Sequence, residues 1–195
     1  GHTIKNCIIK NWDRGIWGTG GGNVTNSTFF NNTYGIMTAP ACCPIATMNV
    51  YNNSFEFNSV GISNCVYFNA YGNNLRNNTV AIRLWDIEFP YTCGSPMSAN
   101  YSRNKITYNT RAIDCHFVTL SSSFYFWDNF FNNSENTHND LCTYGAAKWN
   151  RTKTLGTNIM GGSVICGNYW GQPNDLGGSD ACVDANLDQI CDTSV

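Results

Sequence analysis

The sequence predicts an all-β solenoid of short strands, on three observations. The phrase "TFFNNTYGI" at residues 28–36 returns as "SFEFNSVGI", "NLRNNTVAI" and "KITYNTRAI". Its large apolar residues, asparagines and small residues keep to separate columns although the copies are unevenly spaced. There is almost no helix-length amphipathic pattern, and the leucine framework of leucine-rich repeats is missing.

Each element of the phrase has a reason to be there. The large apolar column reads Ile9, Phe29, Phe55, Leu75, Ile106 and Phe130, at spacings of 20, 26, 20, 31 and 24 residues, so loops of variable length separate the rungs. Alternation through Cys7-Ile8-Ile9-Lys10-Asn11 suits a short strand. Three positions on, Trp12, Asn32, Asn58, Asn78, Asn109 and Asn133 mark a turn. Stacked at strand spacing, each of these amides donates to the carbonyl of the next, which satisfies groups that are costly to bury unpaired. The small column Gly15, Gly35, Gly61, Ala81, Ala112 and Asn136, followed by Ile16, Ile36, Ile62, Ile82, Ile113 and Thr137, opens the next strand.

At 195 residues the chain is read as a single domain over 1–195, in which 172–195 form an Asp-rich segment. Eleven basic against thirteen acidic residues, with 12% charged, leave no basic stripe for nucleic acid. The apolar runs are too short to span a bilayer. Ten cysteines, Cys7, Cys42, Cys43, Cys65, Cys93, Cys115, Cys142, Cys166, Cys182 and Cys191, are widely spaced with no C-x-x-C pair, so structural disulfides are expected rather than a zinc site. Adjacent Cys42 and Cys43 fit disulfide geometry poorly with each other and are expected to have different partners.

The N-x-x-G-I rungs, the "GNYWG" at residues 167–171 and the "DANLDQICD" at 184–192 resemble the right-handed parallel β-helix repeats of the NosD-like and carbohydrate-binding/sugar-hydrolase families of secreted and archaeal surface proteins. The resemblance runs over about residues 4–192. It implies a roughly triangular parallel β-helix of about seven coils with variable loops, in a periplasmic or extracellular setting. It does not fix an activity, because this fold hosts lyases, hydrolases, adhesins and structural proteins alike.

Five acidic residues fall in the last 21 positions. Asp184, Asn186, Asp188 and Asp192, with Asp180 and the carbonyl of Ile190, offer oxygens at alternate positions, as calcium requires, and Cys182 and Cys191 bracket the segment. Gln189 stands where a turn glycine is usual, so a weak or disulfide-supported site is expected.

Arg83 and Asp114 follow the aligned isoleucines and are expected to stack as a neutralising pair. His2, His116 and His138 share no column. Asp114-Cys115-His116 would suit copper only with Cys115 free. Trp12, Trp17, Trp85, Trp127, Trp149 and Trp170 are candidate sugar platforms or core anchors.

Eight N-x-S/T sequons start at Asn23, Asn26, Asn31, Asn52, Asn77, Asn100, Asn132 and Asn150. Asn31, Asn77 and Asn132 immediately precede ladder asparagines and are expected to face outward and carry glycans.

The expected protein is a glycosylated, disulfide-stabilised extracellular or cell-surface structural protein without enzymatic activity. Its first rung already offers Ile4, Ile8 and Ile9 for packing, so copies are expected to stack end to end into a filament or layer. Binding or cleavage of a polysaccharide is the first alternative, and periplasmic copper handling the second.

Overall fold

The computed structural model describes residues 1–18, 21–38, 47–65, 67–85, 87–88, 91–92, 98–116, 123–138, 147–183 and 185. Cys42, Cys43, Cys93, Cys142, Asp184, Asn186, Asp188, Ile190, Cys191 and Asp192 lie outside these residues.

Three parallel sheets run the length of the solenoid. Sheet one holds β1 (His2–Lys5), β4 (Gly22–Thr25), β7 (Met48–Tyr51), β10 (Phe68–Tyr71), β15 (Ser98–Ser102), β18 (Ser123–Trp127) and β21 (Ala147–Lys148). Sheet two holds β2 (Ile8–Lys10), β5 (Thr28–Phe30), β8 (Ser54–Glu56), β11 (Asn74–Arg76), β16 (Lys105–Thr107), β19 (Phe130–Asn132) and β24 (Tyr169–Gly171). Sheet three holds β3 (Arg14–Gly18), β6 (Tyr34–Thr38), β9 (Val60–Asn64), β12 (Val80–Trp85), β17 (Arg111–His116) and β20 (Glu135–His138). The chain visits the sheets in turn, one strand each per coil, as a right-handed parallel β-helix does. Two small antiparallel pairs stand outside this pattern: β13 (Ile87–Glu88) with β14 (Tyr91–Thr92), and β22 (Thr154–Leu155) with β23 (Val164–Ile165).

Two of the three corners turn on a single left-handed residue. Between sheets one and two these are Asn6, Asn26, Asn52, Gly72, Arg103 and Asp128; between sheets two and three they are Asn11, Asn31, Phe57, Asn77 and Tyr108. Asparagine, aspartate and glycine tolerate this backbone, whereas Phe57, Arg103 and Tyr108 hold it against a steric cost of about 1–2 kcal/mol each.

From the second coil on, the residue after each left-handed corner position turns inward. At the second corner Asn32, Asn58, Asn78, Asn109 and Asn133 are all buried. The Asn58 Oδ1 accepts from the Asn32 backbone N and Nδ2 at 3.0 Å each, and the pattern repeats from Asn58 to Asn78, Asn78 to Asn109 and Asn109 to Asn133. Each amide also reaches back to a strand carbonyl of the preceding coil, such as Asn78 Nδ2 to Phe55 O at 2.9 Å. The expected ladder is therefore present.

A second ladder, not anticipated from the sequence, runs up the first corner through Ser27, Asn53, Asn73, Asn104, Asn129 and Asn168. Asn168 belongs to the "GNYW" motif, whose next two residues stack on the coil before it. Tyr169 lies on Phe130 at 4.8 Å and Trp170 on Phe131 at 4.5 Å.

The core consists of aligned columns. Ile9, Phe29, Phe55, Leu75, Ile106 and Phe131 line the inner face of sheet two, so Phe131, and not Phe130, continues the apolar column. Phe131 is fully buried, while Phe130 pairs with Lys105 on the outer face. The Phe29 and Phe55 rings stack at 4.7 Å, as do Tyr101 with Phe126 and Phe126 with Trp149. In the first three coils a glycine stands where the third strand enters. A Cβ on Gly35 would stand 2.5 Å from the Gly61 carbonyl and 2.9 Å from the Phe55 ring. At Gly61 the neighbouring side chain is the slimmer Leu75, 3.4 Å away, and in the two following coils the position is alanine.

The same shift corrects the expected glycan column. Asn31 and Asn77 are left-handed corner residues, but Asn132 pairs with Thr107 inside sheet two. The sixth coil lacks one corner residue, so Asn132 stands in a different column.

Two cysteine expectations are also corrected. Cys65, Cys115 and Cys182 are disulfide-bonded, but Cys7 and Cys166 carry free thiols. Cys7 occupies the outermost ladder position of the first corner, where its backbone N donates to Ser27 Oγ at 3.1 Å.

Candidate functional site

The outer face of sheet three gathers most of the paired charge. In register, its outward column reads Trp17, Met37, Ser63, Arg83, Asp114 and His138. Arg83 Nε lies 3.0 Å from Asp114 Oδ2, with the carboxylate almost wholly covered. The stacked pair expected from the sequence is thus formed. Next to it Arg111 faces Glu135 across the strands, Nε to Oε2 at 3.2 Å, and Glu135 Oε1 meets His138 Nδ1 at 2.8 Å. A carboxylate at Nδ1 orients an imidazole, the arrangement used by both proton-transfer and metal-binding histidines. Here, however, each carboxylate already has an arginine one coil away, Asp114 in a largely covered pair and Glu135 in a partly exposed, weak one.

These donors do not fit a copper centre. Cys115 is oxidised and faces the core at 1% exposure, so Asp114-Cys115-His116 lacks the thiolate that a soft metal needs. Among the described residues no three His, Cys, Asp or Glu side chains come together as a metal site.

Asp180, expected among calcium ligands, is engaged by the protein. Its Oδ1 accepts from the Tyr169 hydroxyl at 2.6 Å, and its Oδ2 from the Gln172 and Gly177 amides at 2.9 Å each. Desolvation works to raise this carboxyl's pKa, but the three donors together hold it below the usual carboxylate value. The same bond, aided by desolvation and by the Asp180 and Asp175 charges, pushes the Tyr169 hydroxyl up to about 12. Asp180 therefore fastens residues 172–180 to the end of sheet two.

A buried carboxylate missed in the sequence lies at the first corner. Asp128 Oδ2 sits 3.0 Å from Arg103 Nε, and its Oδ1 accepts from Ile159 N at 2.6 Å. Burial pushes its pKa up, against the opposing effects of the Ile159 amide and Arg103. Arg103 also donates to the Thr157 carbonyl and the Tyr71 hydroxyl. Both residues are left-handed, so this pair clips the 154–165 hairpin onto the solenoid, and a structural bridge is its evident task.

The tryptophans divide by position. Trp149 and Trp170 meet edge to face at 5.3 Å and close the apolar interior. Arg151 covers Trp127 at 4.4 Å. Trp12 and Trp17 are largely exposed on the first coil.

Comparison with curated proteins returns no match, and neither does comparison with solved structures. A family model does match: NosD, described as a periplasmic copper-binding protein, fits residues 1–175. That span takes in all three sheets and both asparagine ladders, so this chain belongs to the NosD family.

Proposed function

We propose that this protein is a rigid, non-enzymatic scaffold that works outside the cytoplasm, at the cell surface or in the periplasm, and assembles end to end. The family's periplasmic description and the disulfides at Cys65, Cys115 and Cys182 support the extracytoplasmic setting. The observation that carries the scaffold reading is the pairing of charge between coils, Arg83 with Asp114, Arg103 with Asp128 and Arg111 with Glu135. Acids spent in this way brace the coils instead of waiting for a substrate. End-to-end stacking would continue between copies the register that already stacks coil on coil within the chain. A head-to-tail contact between unlike faces propagates unless it closes into a ring. Electron microscopy and light scattering of the purified protein test this: filaments or layers are expected, and a monodisperse monomer at high concentration with calcium present overturns it.

Copper handling is the second reading, favoured by the family match. Titration of the native chain with copper(I) and copper(II), followed by native mass spectrometry, decides it; absence of a stoichiometric adduct rules it out. Calcium at Asp180, Asp184, Asn186, Asp188, Ile190 and Asp192 remains part of the proposal, with the Asp180 carboxylate also accepting three hydrogen bonds from the protein.

A further inference from the structure

Two of the eight sequons are stacked on one another. Asn26-Ser27-Thr28 lies one coil before Asn52-Asn53-Ser54, with Asn26 and Asn52 both left-handed at the first corner and Thr28 paired with Ser54. All six residues, with Gly72 and Asn74 from the next coil, line a groove of about 380 Å³. Its lining is uncharged, made of side-chain amides and hydroxyls, which suits a neutral polyhydroxyl group.

The groove exists because Gly72 interrupts the corner column. Asn6, Asn26 and Asn52 precede it there and Arg103 follows, drawn away to Asp128. A Cβ on Gly72 would stand 2.7 Å from Asn52 Oδ1. The missing side chain thus opens space directly beside the Asn52 amide.

The sequons differ in whether the nitrogen to be modified is available. Asn31 Nδ2 donates to Asn11 Oδ1 at 2.9 Å, and Asn100 Nδ2 to Asn69 Oδ1 at 3.0 Å. Asn132 lies within β19 with its Oδ1 buried. The amides of Asn26 and Asn52 are exposed and make no hydrogen bond among the described residues. Their backbones are one coil apart, about 4.8 Å, too close for two glycan stems side by side. Asn26 is flanked by asparagine on both sides, whereas Asn52 has the gap at Gly72.

We propose that Asn52 is the N-glycosylated residue of this stack and that its first sugar lies in the corner groove over Gly72. Asn52 Nδ2 attacks C1 of an oligosaccharide carried on a polyisoprenoid phosphate or diphosphate and loses one proton. The C1–O bond to the carrier breaks, and the phosphate leaves with the electron pair. Ser54, whose hydroxyl donates to Glu56 Oε1 at 2.8 Å, keeps its acceptor lone pairs for the Asn52 side.

The test is intact-mass measurement and non-reducing glycopeptide mapping of the protein from its natural host. A glycan on the Asn52 peptide is expected, lost in Asn52→Gln. Gly72→Asn, which the left-handed backbone tolerates, is expected to fold normally and to lower Asn52 occupancy severalfold. A bare Asn52 peptide, or glycan confined to Asn26, Asn31 or Asn100, overturns the proposal. Unchanged occupancy in Gly72→Asn overturns the part played by the groove. The same map reads the disulfides at Cys65 and Cys115, so a chain that never left the cytoplasm is told apart from an exported one with Asn52 bare.

Discussion

Replacing Asn78 with aspartate tests the ladder directly, because it exchanges one NH2 for an oxygen and leaves the shape intact. Asn78 Nδ2 faces three acceptors: Phe55 O at 2.9 Å, Arg76 O at 3.1 Å and Asn109 Oδ1 at 3.0 Å. A carboxylate there meets oxygen on every side in a position only 2% exposed, so the folded state binds a proton more tightly than the unfolded chain does. The sign follows from linkage. With the folded pKa raised above the unfolded value of about 3.9, the variant is most stable below that value and loses about 1.4 kcal/mol per pH unit above it, until the folded pKa is reached. A rise of about 2–3 units therefore costs about 3–4 kcal/mol at neutral pH. Asn78→Ala should cost about 3 kcal/mol at any pH, because it orphans the Asn58 backbone N–H and removes the partner of Phe55 O. Urea unfolding at pH 4 and pH 7, with the transition slope monitored, measures both. If Asn78→Asp is no less stable relative to the parent at pH 7 than at pH 4, or Asn78→Ala lies within about 0.5 kcal/mol of the parent, the ladder is not a stabilising element.

Tyr108 holds a left-handed backbone and is 62% exposed, so Tyr108→Asn is expected to stabilise the protein by about 1 kcal/mol, read as a higher urea midpoint. Gly35→Ala should destabilise it by about 1–3 kcal/mol through contact with the Gly61 carbonyl and Phe55. Adding Phe55→Leu should recover part of that loss, since leucine leaves more room at the Gly61 position. Ultraviolet titration should find Tyr169 ionising near 12 in the parent, and Asp180→Asn should bring it back toward the ordinary tyrosine value. Because the Asp180 pKa is depressed, its hold on the terminal loop is complete above the ordinary aspartate value and lost as pH falls through its folded value; proteolysis of residues 172–180 should accelerate only there. Chelation of calcium is expected to lower the thermal midpoint, and an unchanged midpoint argues against the 184–192 site.

The sequence by itself determined the solenoid, the ladder at Asn32, Asn58, Asn78, Asn109 and Asn133, the small column at Gly35 and Gly61, and the Arg83–Asp114 pair. These were legible because stacked coils place the same register position in the same surroundings every time, so a physical requirement repeats as a residue column. The second ladder was hidden. Its column opens on Cys7 and Ser27, which are not asparagines, and at Asn52-Asn53 and Asn73-Asn74 only backbone geometry decides which amide turns inward. Its last step, Asn129 to Asn168, spans 39 residues because a hairpin is inserted between them, which removes the spacing cue. Tertiary structure alone also decided where the sixth coil omits a residue. Strand register sets Phe131, and not Phe130, opposite Ile106 in the core, while the ladder keeps Asn133, and the two together move Asn132 out of the corner column. The free thiol at Cys7 and the engagement of Asp180 belong to the same class, since a side chain's partner depends on which coil lies beside it and not on its neighbours in sequence.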